Sequence, residues 1–413
     1  MTRRLGAGSS YDSRGMTETP DWLDWEARIA RLLPVPGSPS TDRALLLDEV
    51  SMYARAAVRE ARRVGSVAPS IAERERAMAW LDRPVFVCGH HRSGTTLLNS
   101  LFDGHPELVV LPNEGTYFTS FRYAVRENPS PEDVDRFAAD WISRFVDPNY
   151  EPHFRLGRAG PAGTPSVLFA RRLLGWHSAQ LGASPARAPF SLLLSLVAAF
   201  HDLVPTSGTP RLWVEKTPLN ERQVERLAVF SDARFIQLVR HPAATLASLL
   251  PIYRETKQSH GGVAEHARSI GRSLRLALRN DRAFRERYLI VRYEDLVGDP
   301  AREMDRVRAF IGISSNPSLE VPTIVGVPAR ANSSFGLGDP GVISRSRATR
   351  ILSPTEATLI GAFTASAART LGYEVAAPPV LQRGFLRVRE EVAHLSRSVR
   401  RRIGNVRVPS ADR

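Results

Sequence analysis

A chain of 413 residues fits two to four domain-equivalents or one large α/β domain with additions, and its single cysteine, Cys88, excludes an internal disulfide or a cysteine-built zinc or iron–sulfur site. The apolar share of 43% and charged share of 24% are those of a folded protein and exclude wholesale disorder. Cations exceed acids by 13, but nine arginines against three acids between Leu381 and Arg413 leave about half of that for the rest, which speaks against a nucleic-acid groove and for one local anion site.

Taken in chain order, residues 1–20 are polar, hold no apolar signal core, and predict no fixed structure. Residues 21–82 read as a helical extension, split at 33–40 by LPVPGSPS and resuming near Ser40, Thr41 and Asp42, which are good N-cap types. A core domain is expected over 83–375. Its strands are short apolar runs at Val85–Gly89, Leu108–Leu111, Leu212–Val214, Phe235–Val239 and Leu289–Val291. Helical patterns at Thr96–Asp103, Ala243–Tyr253, Val263–Arg287 and Arg302–Ile311 alternate with them. Continuous apolar strands between helices predict a parallel sheet covered on both faces, a three-layer α/β/α domain.

Residues 115–210 interrupt that rhythm as a helical insertion, expected to form a lid or acceptor pocket, with loops at 128–133 and 157–166. The longest apolar stretch, Phe190–Phe200, holds two serines and is far shorter than the roughly 20 residues of a membrane span. A soluble, cytoplasmic protein is the expectation. The tail at 376–413 places apolar residues at 385, 388, 392, 395, 399 and 403, one helical stripe among arginines. Docking on its own domain or on a second copy in a homo-oligomer is the first reading of that stripe; peripheral contact with an anionic membrane is the second.

VFVCGHHRSGTTLLNSLF, at 85–102, has the layout of an anion cradle: a buried strand, a turn holding Gly89 and Gly94, then a helix. Arg92 adds charge, and Ser93, Thr95 and Thr96 add hydroxyls. Against the nucleotide-triphosphatase pattern G-x-x-x-x-G-K-[ST], Gly89, Gly94 and Thr96 fit, but Thr95 stands where the lysine should be. That substitution argues against an ATPase or an ordinary kinase. RSGTT at 92–96 resembles the 5′-phosphosulfate loop of sulfotransferases, in the arginine form similar to tyrosylprotein and many bacterial members. The resemblance implies a P-loop-like fold and 3′-phosphoadenosine 5′-phosphosulfate (PAPS) as sulfuryl donor. FIQLVRHPAATLASLL at 235–250 is similar to the family's 3′-phosphate clamp, with Arg240 ending a strand and Ser248 eight residues on. VRYEDLVGDP at 291–300 resembles the following strand and turn, where Asp299 is expected to cap a helix. The family's C-terminal RKG element is absent, and 332–334 (NSS) or Arg345, Arg347 and Arg350 are the candidates to replace it.

Only Lys216 and Lys257 are lysines, so Lys216, after the third strand in LWVEKTPLN, suggests a compact ammonium at the ligand edge of the sheet. Arg92 and Lys216 are the cations assigned to the sulfuryl and bridging oxygens. Glu114 is the expected base, with His90, His91, His105 and Glu215 as rivals. The donor-binding set is Arg92, Ser93, Gly94, Thr95, Thr96, Arg240 and Ser248, with no metal and no nucleic acid. The expected function is sulfuryl transfer from PAPS to a hydroxyl acceptor; a P-loop-like kinase and a non-catalytic nucleotide-binding scaffold are the alternatives.

Overall fold

The computed structural model describes residues 43–147, 155–157, 165–179, 186–255, 262–329, 339–343, 352–389 and 392. The expectations for residues 1–42, for 332–334, for Arg345, Arg347 and Arg350, and for the tail stripe at 395, 399 and 403 lie outside the described residues.

All five expected strands form: β1 (Pro84–Gly89), β2 (Leu108–Glu114), β3 (Leu212–Lys216), β4 (Arg234–Val239) and β5 (Tyr288–Arg292). They make one sheet in the order β2-β3-β1-β4-β5, with every pairing parallel. A two-strand hairpin, β6 (Thr323–Ile324) with β7 (Val327–Pro328), lies apart from it. The helices in chain order are α1 (Arg43–Val64), α2 (Ile71–Leu81), α3 (Thr95–Phe102), α4 (Pro131–Phe145), α5 (Pro165–Ser178) and α6 (Ser191–Leu203). They continue as α7 (Val224–Leu227), α8 (Pro242–Glu255), α9 (Val263–Phe284), α10 (Tyr293–Gly298), α11 (Pro300–Ile311) and α12 (Pro354–Thr370).

Side chains alternate across the strands, so Phe86, Cys88, Trp213 and Phe235 enter one core while Val85, Val87, Val214 and Ile236 enter the other. The first core is covered by α1, α2 and the insertion helices α4, α5 and α6. α3 and α11 cover the second. α8, α9 and α12 share a third cluster beside the end of β4. The Asp299 carboxylate accepts the Arg302 N–H at 3.1 Å and caps α11 as expected.

Two local departures from the sequence reading have physical causes. The helical pattern after residue 42 breaks at Gly65, whose φ of 97° is left-handed, and restarts at Ser70. Ser70 and Glu73 bond each other's backbone N–H in a capping box, at 3.2 and 2.6 Å. β2 also runs on to Glu114 through a register shift between Val110 and Glu114, where Pro112 removes one donor. Glu114 and Lys216 therefore end their strands instead of following them, and they stand opposite each other in register.

The insertion shares the core of the sheet. Trp141, Phe137 and Ile142 on α4 are fully buried in the cluster that holds Phe86 and Trp213. Trp141→Ala is expected to cost about 3–5 kcal/mol in equilibrium denaturation, the usual range for deleting a buried indole. A cost under about 1 kcal/mol would mean that these helices move as a detachable lid.

Candidate active site

Where β1 ends, the chain turns through three left-handed residues: Gly89 (φ 138°), Arg92 (φ 68°) and Gly94 (φ 101°). At two of them only glycine fits. A Cβ on Gly89 would lie 2.5 Å from the Leu238 carbonyl oxygen, and one on Gly94 would lie 2.4 Å from the Tyr293 ring. The Gly89 N–H donates to Glu221 Oε2 at 3.1 Å, and Ser273 donates to the other carboxylate oxygen at 2.6 Å. The Ser93 hydroxyl donates to the His90 carbonyl at 2.6 Å, so it braces the loop from within. Gly94 then opens α3, whose first residues are Thr95 and Thr96.

Three groups named from two distant motifs converge beside this loop. Arg92 Nε donates to the Ser248 hydroxyl at 3.1 Å, and Arg240 Nη1 donates to the Arg92 carbonyl at 3.0 Å. The Arg240 guanidinium lies 4.3 Å from the centroid of the Tyr293 ring, a cation–π contact. Burial, and then the neighbouring Arg240 charge, pull the Arg92 guanidinium below its ordinary value. Arg240 Nε is buried with no hydrogen-bond partner among the described residues. Two adjacent cations, a hydroxyl and an orphaned donor suit a dianionic phosphate, which would satisfy them together.

On the other flank, Lys216 Nζ lies 2.9 Å from Glu114 Oε1 and donates to Thr96 Oγ1 at 3.3 Å. The Lys216 side chain is 6% exposed and that of Glu114 is 41% exposed, so the cation is sheltered while the carboxylate reaches solvent. Burial acts to raise the Glu114 pKa, but the Lys216 ammonium, His91 and Arg144 together outweigh it and hold the carboxyl below the usual value. A cation and an accessible carboxylate thus meet at the first turn of α3.

The rival bases are differently employed. Burial pulls the His90 imidazole down to about 3, so it is neutral. Its Nδ1 bonds the His91 carbonyl at 3.0 Å and its Nε2 the Ser269 hydroxyl at 3.1 Å. The carbonyl only accepts, so Nδ1 carries the proton and Nε2 accepts. Arg222 Nη2 donates to the same hydroxyl at 3.0 Å. Burial lowers His91, and the Glu114 charge opposes that fall. Burial pushes Glu215 up to about 7, but its oxygens are taken by the Gly115 N–H at 2.9 Å, the Thr217 hydroxyl and Asn220 Nδ2 at 2.8 Å. Glu215 therefore ties the ends of β2 and β3 together. His105 precedes β2 at the opposite edge, engaged with Ser314 and Glu107.

The sulfotransferase family profile matches residues 84–317, more than half of the chain. The chain belongs to the sulfotransferase family. The mouse (Mus musculus) carbohydrate sulfotransferase 2 is 36% identical over 73 residues, 16% of this chain and 14% of that protein. The human (Homo sapiens) carbohydrate sulfotransferase 3 is 34% identical over 106 residues, 22% of each chain. This chain thus spans only a small part of the length of those relatives. Among solved structures, the sulfotransferase domain of the Synechococcus PCC 7002 olefin synthase is 20% identical with a TM-score of 0.42, covering 71% of this chain and 96% of that one. Sulfotransferase STF9 from Mycobacterium avium is 18% identical with a TM-score of 0.35, covering 74% and 87%. Membership in this family favours the sulfotransferase reading over the kinase alternative.

Four residues around this sulfotransferase site escaped the sequence reading. Glu221 holds the Gly89 N–H, Tyr293 underlies Arg240, and Glu294 accepts the His241 N–H at 2.9 Å and the Tyr373 hydroxyl at 2.7 Å. Arg144 donates to Thr116 Oγ1 at 2.9 Å and to the Glu114 carbonyl. Tyr293 and Glu294 lie in the VRYEDLVGDP stretch, where the adjoining aromatic and acid were the available signal. Gly94→Ala should move the Tyr293 ring and, with it, Arg240. The expected outcome is a stability loss of at least about 1–2 kcal/mol from the left-handed backbone, with binding of the desulfated donor, 3′-phosphoadenosine 5′-phosphate (PAP), weakened about tenfold or more. Unchanged PAP affinity by calorimetry would show that Tyr293 does not position Arg240.

Proposed function

We propose that the enzyme moves the sulfuryl group of PAPS to a hydroxyl acceptor by in-line displacement and releases PAP. The observation that carries this reading is the Lys216–Glu114 pair held against Thr96 at the phosphate loop. It sets a cation and a base side by side where a transferring group on that loop would lie.

In this reading Arg92, Ser93, Gly94, Thr95 and Thr96 cradle the 5′-phosphosulfate, with backbone N–H groups and the start of α3 supplying donors. Arg240 and Ser248 take the 3′-phosphate. Lys216 and Arg92 stabilise the charge that grows on the bridging oxygen as the sulfur–oxygen bond to the 5′-phosphate breaks. Glu114 receives the acceptor hydroxyl's proton as that oxygen bonds to sulfur. Basicity at Glu114 is tied to the donor: while Lys216 faces the carboxylate it is a weak base, and it strengthens as Lys216 turns toward sulfuryl oxygens.

Transfer of radiolabelled sulfate from PAPS to a library of hydroxyl acceptors tests the activity, and PAP-tight protein that labels no acceptor would overturn it. Glu114→Gln should bind PAP normally and lose about 10²–10⁴-fold in kcat, the worth of a positioned base. Near wild-type turnover would move the base elsewhere, His91 first. Lys216→Ala should lower kcat more than donor affinity, because a cation at developing charge acts mainly in the transition state. Lys216→Arg should restore only part of it.

The pH profile adds an independent check. A base must be ionised to act, and Glu114 is held below the ordinary carboxylate value of 4.5 in the free enzyme. The acid limb of kcat/KM is therefore expected below pH 4.5. A limb between 4.5 and the ordinary histidine value of 6.5 would point to His91, which burial lowers from that value.

A further inference from the structure

One face of α9 repeats a single chemistry along its length. Arg268, Arg272, Arg275, Arg279 and Arg282 recur at intervals of four and three, which places them in one row on a 3.6-residue helix. The last four are exposed. Arg279 has an acidic partner, Glu225, at 3.3 Å. Arg275 donates to the Phe363 carbonyl at 3.2 Å. Burial, and then the neighbouring charges of Arg387 and Arg272, pull Arg275 below its ordinary value.

The C-terminal residues complete this face. Residues 380–389 are helical, and Arg387 Nε donates to the Ala362 carbonyl at 2.7 Å, which fastens that helix to α12. Between α9, α12 and this helix runs a groove of about 600 Å³. Arg268, Arg275, Arg282 and Arg387 line it with Leu278 and Val388, and among the described residues no acid does. Asp281 neighbours Arg282 on α9 without entering the lining. Bordering the groove, Leu381 is 89% exposed, Phe385 66%, Val388 65% and Val392 58%, a row spaced four, three and four. Glu390 and Glu391 interrupt the sequence there and lie outside the described side chains.

We propose that this face docks the protein on an anionic membrane surface. Cations alone would suit a soluble polyanion, and apolar side chains alone would suit a second copy of the chain. The two rows together match lipid headgroups and the acyl region beneath them. A two-fold dimer through this face would bring arginines against arginines, which like-charge repulsion opposes. No helix among the described residues is long and apolar enough to cross a membrane, so the contact is interfacial. Ser269, beside Arg268 on α9, bonds His90 and Arg222 at the active site, so the docking face begins next to the chemistry and runs about 20 Å away from it.

Co-sedimentation of the full chain with vesicles tests the proposal without relying on the transferase activity. Wild type should bind phosphatidylcholine–phosphatidylglycerol vesicles and not phosphatidylcholine alone, with binding weakened by high salt. Leu381→Ser with Phe385→Ser should weaken vesicle binding by about tenfold or more. Arg272→Gln with Arg282→Gln should weaken it by about 25-fold, at about fivefold per cation. Both variants alter exposed side chains, so their melting temperatures should match wild type. Failure of wild type to bind the anionic vesicles would overturn the proposal. So would vesicle binding that survives the apolar variant while dextran sulfate competes fully, which would mark a polyanion site. A dimer in light scattering that the apolar variant disperses would overturn it in favour of self-association.

Discussion

Parallel pairing in fixed register is the constraint on which the site depends. β2, β3, β1 and β4 all deliver their carboxyl ends to one edge, where Glu114, Lys216, the Gly89 turn and Arg240 lie. Register sets Glu114 opposite Lys216, and Glu215 clamps the two ends by taking the Gly115 N–H. A one-residue slip would turn each of these side chains to the opposite face of the sheet. The apolar layers hold that register, with α2 packed on β3 and α6 on β2 in the core that contains Phe86 and Trp213.

A second constraint is charge. Arg92 and Arg240 stand together at partly and fully buried positions, where like charges repel more strongly than in water. The fold holds them by contacts that leave their charge in place: the Tyr293 ring faces Arg240, and the Ser248 hydroxyl meets Arg92. Across the loop Lys216 has a carboxylate partner in Glu114, an ion pair that an incoming anion can rearrange.

Much of this was legible from residue order. The five strands could be read because branched and aromatic runs are bounded by turn residues, and the loop because Gly89 and Gly94 bracket a charge and hydroxyls. Arg240 and Ser248 could be placed because Pro242 fixes where the helix after β4 begins. What was hidden is tertiary. Glu221 and Tyr293 reach the loop from 132 and 199 residues away in sequence, and no local pattern announces such a contact. The strand extension that pairs Glu114 with Lys216 was masked by Pro112, which reads as a strand terminator. The break at Gly65 was masked by apolar periodicity that continues across it.

In the proposed function, this edge of the sheet is shaped for a nucleotide with phosphate on both sides of its ribose. Calorimetric titration with PAP, ATP and adenosine 5′-phosphosulfate, on wild type and on Arg240→Ala, tests it. Wild type should prefer PAP to ATP. Losing Arg240 should weaken PAP by about 10- to 150-fold, the worth of a charged hydrogen bond, and leave adenosine 5′-phosphosulfate nearly unchanged. ATP bound as tightly as PAP, or PAP bound equally by both proteins, would contradict it.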